Sequence, residues 1–161
     1  MIKKEIPFSV EIYTSSNELN KSDEKLLEQA RNITKTAYAP YSNFNVGAAA
    51  LLIDGTVVTG TNQENASYPV GICAERVLLS AVASQFNNAG IVTMAISYLN
   101  LNGDSKRPIS PCGICRQSLA EYEERTHQFI RIILSGLEGE VYIIEKARHL
   151  LPLSFTAVDM K

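Results

Sequence analysis

The chain contains three cysteines, placed so that they can serve one purpose only if the fold brings them together: Cys73, two residues before Glu75, and the pair in Pro111-Cys112-Gly113-Ile114-Cys115. Cys112 and Cys115 can grip one ion from a single turn of backbone, but Cys73 lies too far upstream for a compact knuckle, so a site using all three must be assembled from separated segments. Three thiolates leave one corner of a tetrahedral zinc open, and an open corner is where water binds and is activated. The pattern therefore reads as a hydrolytic zinc enzyme. An odd number of thiols is a poor disulfide framework, and in a reducing compartment a C-x-x-C pair more often binds metal or is redox-active.

A chain of 161 residues, 45% of them hydrophobic, is near the usual size of one domain with its own core, and no Ser/Gly/Pro-rich linker or repeat divides it. We expect one domain over residues 1–161, with 1–21 as a strand-like N-terminal extension. The net charge of -2, from 15 basic and 17 acidic residues, comes without Trp and without a dense Lys/Arg stripe. That leaves no electrostatic footprint for a phosphate backbone, and nucleic acid is excluded as the expected partner. The start Met1-Ile2-Lys3-Lys4-Glu5 leads into alternation and not an apolar signal core, and no later run approaches the ~18 apolar residues of a membrane span. The expectation is a cytoplasmic protein with no membrane partner.

Ile6, Phe8, Val10 and Ile12 alternate with polar residues and Pro7, which predicts an edge strand or an extension packed on the main sheet. Leu26, Leu27, Ala30, Ile33, Thr34 and Ala37 recur at helical spacing, predicting a helix over 22–38 with Ser22 as N-cap and Pro40 beyond its end. Residues 45–53 and 56–61 read as a hairpin about Asp54-Gly55, which tolerates the positive φ of a tight turn. Helices are expected over 74–85 and 112–123, strands over 91–99, 129–134 and 140–144, and a short terminal helix over 146–150. This order implies an α/β three-layer sandwich: a mixed sheet of about five strands with helices on both faces. Both cysteine motifs then fall at helix starts, where positive partial charge favours a thiolate.

His127 or His149 could in principle close the site as a fourth, purely structural ligand, but His127 follows a charged helix end and His149 lies in an amphipathic terminal segment, so neither has a ligand-like neighbourhood. Three thiolates on a zinc dication carry a net charge of -1, which opposes ionisation of a bound water. Arg76, three residues after Cys73 on the same helical face, is placed to offset that charge; its alternative is a plain surface arginine. Glu75 would mean little as a first-turn carboxylate, yet two residues from a metal ligand it can take a proton from water and return it elsewhere.

Five ordered segments, Tyr38 to Ala49, Asn62 to Tyr68, Cys73-Ala74-Glu75-Arg76, Pro111 to Gln117 and Leu150 to Phe155, resemble the homotetrameric zinc-dependent cytidine deaminases of pyrimidine salvage, over about residues 24–156. The wider zinc-deaminase class holds its ion through one His and two Cys or three Cys, beside a Glu that is not a ligand. A Cys as first ligand resembles the branch acting on free nucleosides. The resemblance implies one zinc per subunit held by Cys73, Cys112 and Cys115, with Glu75 as catalytic proton shuttle. It implies substrate contacts at Phe44, Asn62, Glu64 and Ala74, and a contact from Phe155 to a neighbouring subunit's ligand in a homotetramer. The implied reaction is attack of zinc-bound hydroxide on C4 of cytidine or 2'-deoxycytidine, giving uridine or 2'-deoxyuridine and ammonia. Asn62 and Glu64, two apart on an extended segment, point to one side and suit sugar hydroxyls; their plainer reading is a polar turn, and that of Phe44 is a core aromatic.

Val77 after the Cys-Ala-Glu-Arg motif, a long stretch from Leu99 to Arg107, and the segment before Ser22 depart from the family pattern without touching its site motifs. Two other functions share the metal motifs: deamination of a cytosine-containing antibiotic such as blasticidin S, against which the Asn62/Glu64 pair argues, and a non-catalytic structural zinc domain in which Glu75 merely caps a helix.

Overall fold

The computed structural model describes residues 1–160. Six strands and three α-helices follow one another as β1 (Glu11–Tyr13), α1 (Lys21–Ile33), β2 (Phe44–Leu52), β3 (Val57–Thr61), α2 (Ala74–Gln85), β4 (Ile91–Asn100), α3 (Gly113–Thr126), β5 (Arg131–Ser135) and β6 (Val141–Ile144). They form one mixed sheet in the order β1-β6-β5-β4-β2-β3, in which β4 and β5 alone run parallel. That parallel pair is bridged by α3, as a parallel connection requires.

The period of two along β2 divides the core. Ala49 faces α1, whose Leu26, Leu27 and Ala30 also pack on Ala95, Ile133 and Ile143. Ala48, Ala50 and Leu52 face α2 and α3, whose Leu78, Val82, Leu119 and Tyr122 cover Met94, Ile96, Ile132 and Leu134. Three consecutive alanines let helices approach closely from both sides, and two glycines bring them closer still. A Cβ on Gly47 would sit 2.2 Å from the Ala30 carbonyl of α1, and one on Gly60 2.7 Å from the Ala74 carbonyl of α2.

The three-layer α/β reading holds, with six strands where about five were expected. The additional strand is β1, and it is shorter than the alternation over 6–12 implied: only Glu11–Tyr13 pair, with Val141–Ile143. β6 ends at Ile144, so residues before Val10 run past its last rung, and Ile6 and Phe8 are exposed. The rest of this segment is no loose appendage, because Leu19 is buried against the α1 side of the core.

The cap of α1 is Asn20 and not Ser22: Asn20 Oδ1 accepts from the backbone N–H groups of Ser22 and Asp23, both at 3.0 Å. The helix stops at Ile33, four residues short of expectation by its last apolar position, and continues as a 3-10 turn over Thr34–Thr36. Thr34 Oγ1 donates to the Arg31 carbonyl at 2.7 Å, a local bond that competes with helix continuation. The terminal segment is likewise a 3-10 turn, Ala147–Leu150. The hairpin stands as read, with Gly55 at φ 87°.

Candidate metal centre and active-site cleft

Cys73 is the N-cap residue of α2 and Cys112 that of α3, and neither spends its side chain on a capping hydrogen bond. Their sulfurs stand 3.8 Å apart, Cys112 Sγ and Cys115 Sγ 3.5 Å apart, and all three lie within 4.8 Å of one another. A tetrahedral zinc with Zn–S bonds of ~2.3 Å implies sulfurs roughly 3.8 Å apart, so the donor set fits one zinc per subunit in both chemistry and spacing. Among the described residues no histidine joins the group. His127 is the left-handed C-cap of α3, at φ 51°, and His149 belongs to the terminal 3-10 turn.

The thiols differ in proton affinity. The neighbouring Cys115 thiol above all pulls the Cys73 pKa down to about 6, with Arg76 the smallest of the influences acting in that direction. The proximity of Cys73, with burial, pushes Cys115 up. Three thiols this close cannot all ionise unaided, and a divalent ion is what would drive out the remaining protons. Arg76 thus has the sign of effect expected of it, while its side chain lies along the groove between α2 and α3 with Ser80, Ser118 and Tyr122.

Glu75 occupies the first turn of α2 and is 5% exposed. Burial raises its carboxyl above the usual carboxylate range, against weaker lowering by its own backbone N–H and by Cys115. No cap hydrogen bond engages it: the N-cap of α2 is Cys73. Glu75, Cys73 and Cys112 share the wall of a cleft of about 330 Å³ with Val46, Asn62, Glu64, Tyr68, Ile109 and Ser110.

Asn62 and Glu64 therefore do reach the same cleft as the sulfurs, and both are braced by the chain. Asn62 Oδ1 accepts from the Val46 N–H at 2.7 Å while its Nδ2 donates to the Phe44 carbonyl at 2.9 Å. Glu64 Oε2 accepts from the N–H groups of Tyr41 (2.9 Å) and Ser42 (3.3 Å), and Oε1 from the Ser42 hydroxyl. The Ser42 bond is the main reason its carboxyl lies below the usual range.

Phe44 and Ala74 do not line the cleft. The Phe44 ring stacks on Tyr98, centroids 4.9 Å apart and planes 16° off parallel, and Ala74 is fully buried at the start of α2. Phe155 is exposed, its carbonyl accepting from Gln117 Nε2 at 2.8 Å. Ile109 and Ser110 reach the cleft through the loop before α3, where no spacing rule marks them. Tyr68 and Ser42 belong to the family-like segments Asn62 to Tyr68 and Tyr38 to Ala49, but no local rule ties Ser42 to Glu64 across 22 positions.

Comparison with known proteins agrees with this geometry. The family profile described as the cytidine and deoxycytidylate deaminase zinc-binding region matches residues 20–130. A cytidine deaminase of Halalkalibacterium halodurans is 41% identical over 135 residues, covering 84% of this chain and 95% of the relative. The crystal structure of cytidine deaminase from Burkholderia pseudomallei superposes with a TM-score of 0.72 at 36% identity, covering 85% of this chain and 100% of that one. That of Mycobacterium tuberculosis gives 0.64 at 31% identity, covering 84% and 98%. With a shared fold, near-complete coverage and a three-sulfur zinc site at the expected place, the chain belongs to the zinc-dependent cytidine and deoxycytidylate deaminase family.

Proposed function

We propose that this protein hydrolytically deaminates cytidine and 2'-deoxycytidine as free nucleosides, releasing ammonia and uridine or 2'-deoxyuridine, as a homotetramer serving pyrimidine salvage in the cytoplasm. The observation that carries the reading is the buried Glu75 carboxyl on the same cleft wall as Cys73 and Cys112. Zinc held by Cys73, Cys112 and Cys115 would supply Lewis-acid activation of water at neutral pH.

The remaining chemistry falls to the side chains. Glu75, held closer to neutrality by burial, accepts the proton of the attacking water and delivers it to N3 of the cytosine ring. It then takes the second proton of that water, now on the C4 hydroxyl, and passes it to the amino group, so that the C4 carbonyl forms as the C–N bond breaks, one water is consumed and one ammonia is released. The Arg76 charge favours the ionised sulfurs. On the sugar side, a carboxylate offers about four acceptor positions, and Glu64 has committed three to Tyr41 and Ser42. Asn62 keeps a free N–H and a free lone pair beyond its bonds to Phe44 and Val46. Together they serve one hydroxyl, which accepts from Asn62 and donates to Glu64. A single such hydroxyl is consistent with a substrate that has or lacks the 2'-OH.

The test is loss of cytosine absorbance with release of ammonia by the zinc-loaded protein. Glu75→Gln is expected to cut turnover by at least ~10²–10⁴-fold while zinc content and fold persist. Zinc-loaded protein that turns over neither nucleoside, or a Glu75→Gln variant as active as wild type, would overturn the reading.

A further inference from the structure

Glu64 is held from a turn that is itself held from elsewhere. All its protein donors come from Tyr41 and Ser42, and the Ser42 hydroxyl also accepts from the Phe44 N–H at 3.1 Å. The next residue, Asn43, sits in the left-handed region at φ 55°, which asparagine tolerates better than other non-glycine residues, and its surroundings fix the turn further. Those surroundings are the turn that follows β4. Asn102 Nδ2 donates to the Ser42 carbonyl at 3.0 Å, Asn102 Oδ1 accepts from Asn43 Nδ2 at 3.3 Å, and the Leu101 N–H donates to the Asn43 carbonyl at 2.9 Å.

Asn102 is positioned in its turn. Its N–H donates to Asn100 Oδ1 at 3.0 Å, and the Asn100 N–H donates to the Oγ of buried Ser105 at 2.9 Å. The order of dependence runs from Ser105 and Asn100 through Asn102 to Ser42 and Glu64. This turn belongs to the long Leu99–Arg107 stretch that leads out of β4.

Resting on the assignment of Glu64 to the sugar, we propose that Asn102 is a positioning residue for substrate binding: by clamping Ser42 and Asn43 from both ends of its side-chain amide, it fixes the donors that aim Glu64 into the cleft. Asn102 is exposed and spends its side-chain hydrogen bonds on Ser42 and Asn43, so it acts on how nucleoside is bound and not on the metal. Without the clamp the Ser42–Asn43 turn loses both of its Asn102 side-chain bonds, Ser42 is held less firmly, and Glu64 samples orientations that miss the hydroxyl.

The test is a double-mutant cycle between Asn102→Ala and Glu64→Ala on the zinc-loaded, full-length protein, reading KM and kcat for cytidine with zinc content and melting temperature alongside. Asn102→Ala is expected to raise KM about three- to tenfold, with kcat changed less than about twofold and zinc content unaltered. In the Glu64→Ala background the same substitution is expected to leave KM unchanged, because the group it acts through is gone. If Glu64→Ala raises KM but Asn102→Ala does not, or if the two effects multiply in full, the positioning role is wrong while the sugar assignment stands. If Glu64→Ala itself leaves KM at the wild-type value, the sugar assignment fails and the proposal falls with it.

Discussion

Replacing Gly60 by Ala tests how tightly the sheet and the metal centre are coupled. A Cβ there would stand 2.7 Å from the Ala74 carbonyl oxygen, 2.7 Å from the Leu78 N and 3.0 Å from the Leu78 Cα. All three are backbone atoms of α2, so no rotamer change relieves the clash. The shortest of these distances is about 0.7 Å below the 3.4 Å at which ordinary contact begins, and the helix must back off β3 by a displacement of that order. Overpacking of this kind costs about 1–3 kcal/mol, or about 2–4 °C of melting temperature per kcal/mol in a chain of this size.

The functional effect should be larger than the thermal one. Cys73 and Glu75 ride on α2, whereas Cys112 and Cys115 ride on α3. A shift of one helix therefore changes the sulfur spacing and moves the proton shuttle, and a misplacement near 1 Å can cost ~10²-fold in rate. We expect Gly60→Ala to lower kcat on cytidine by about 10- to 100-fold and to weaken zinc binding in a chelator competition, while far-ultraviolet circular dichroism stays unchanged. The comparison variant is Gly113→Ala, where a Cβ meets nothing within 4 Å; its stability should stay within about 0.5 kcal/mol of wild type. A Gly60→Ala protein as stable and as active as wild type would refute the coupling.

Two further substitutions probe buried carboxylates. Glu123, 1% exposed, accepts from the N–H groups of Ile130 and Ala147, both at 2.9 Å, and from Arg148 Nε at 2.8 Å. Glu123→Ala strands the buried Ile130 N–H, whereas the Ala147 N–H keeps the Ile130 carbonyl as acceptor at 2.9 Å and half-buried Arg148 regains water, so a loss of about 1–3 kcal/mol in urea unfolding is expected, and a variant as stable as wild type would contradict it. Glu75 has a folded-state pKa raised above its ordinary 4.5 by burial. Its ionisation therefore opposes folding: no deficit exists below that ordinary value, and the deficit grows as pH rises through the raised one. Metal-free Glu75→Gln should accordingly unfold at higher urea than wild type at pH 7 and match it near pH 4, and equal stability at both pH values would count against the burial argument.

Much of the site was legible because the decisive residues mark their own local structure. Cys73 and Cys112 precede apolar helical periodicity, so their place at two helix starts could be read directly, and Asp54-Gly55 announces its hairpin. Asn20 and Ser22 are equally good caps two residues apart, and only the observed bonds to Ser22 and Asp23 decide between them. Alternation over 6–12 states that the segment can pair but not where its partner ends, and β6 ends after four residues. The brace on Glu64 was out of reach because it joins Tyr41, Ser42 and Asn102, whose proximity follows from β2 lying beside β4 and not from any spacing. Phe44 is placed by its neighbours and not by its own spacing: the half-buried ring stacks on Tyr98 of the adjacent strand, a partner that follows from β2 lying beside β4.

The central claim is that three sulfurs hold one zinc and leave a position open beside Glu75. X-ray absorption at the zinc edge on the substrate-free protein reads it directly. We expect one zinc per chain with three sulfur neighbours at ~2.3 Å and a single oxygen neighbour, without the outer-shell scattering of an imidazole. A spectrum of four sulfurs, or of three sulfurs and a histidine nitrogen, would mean a closed structural site and would contradict the account.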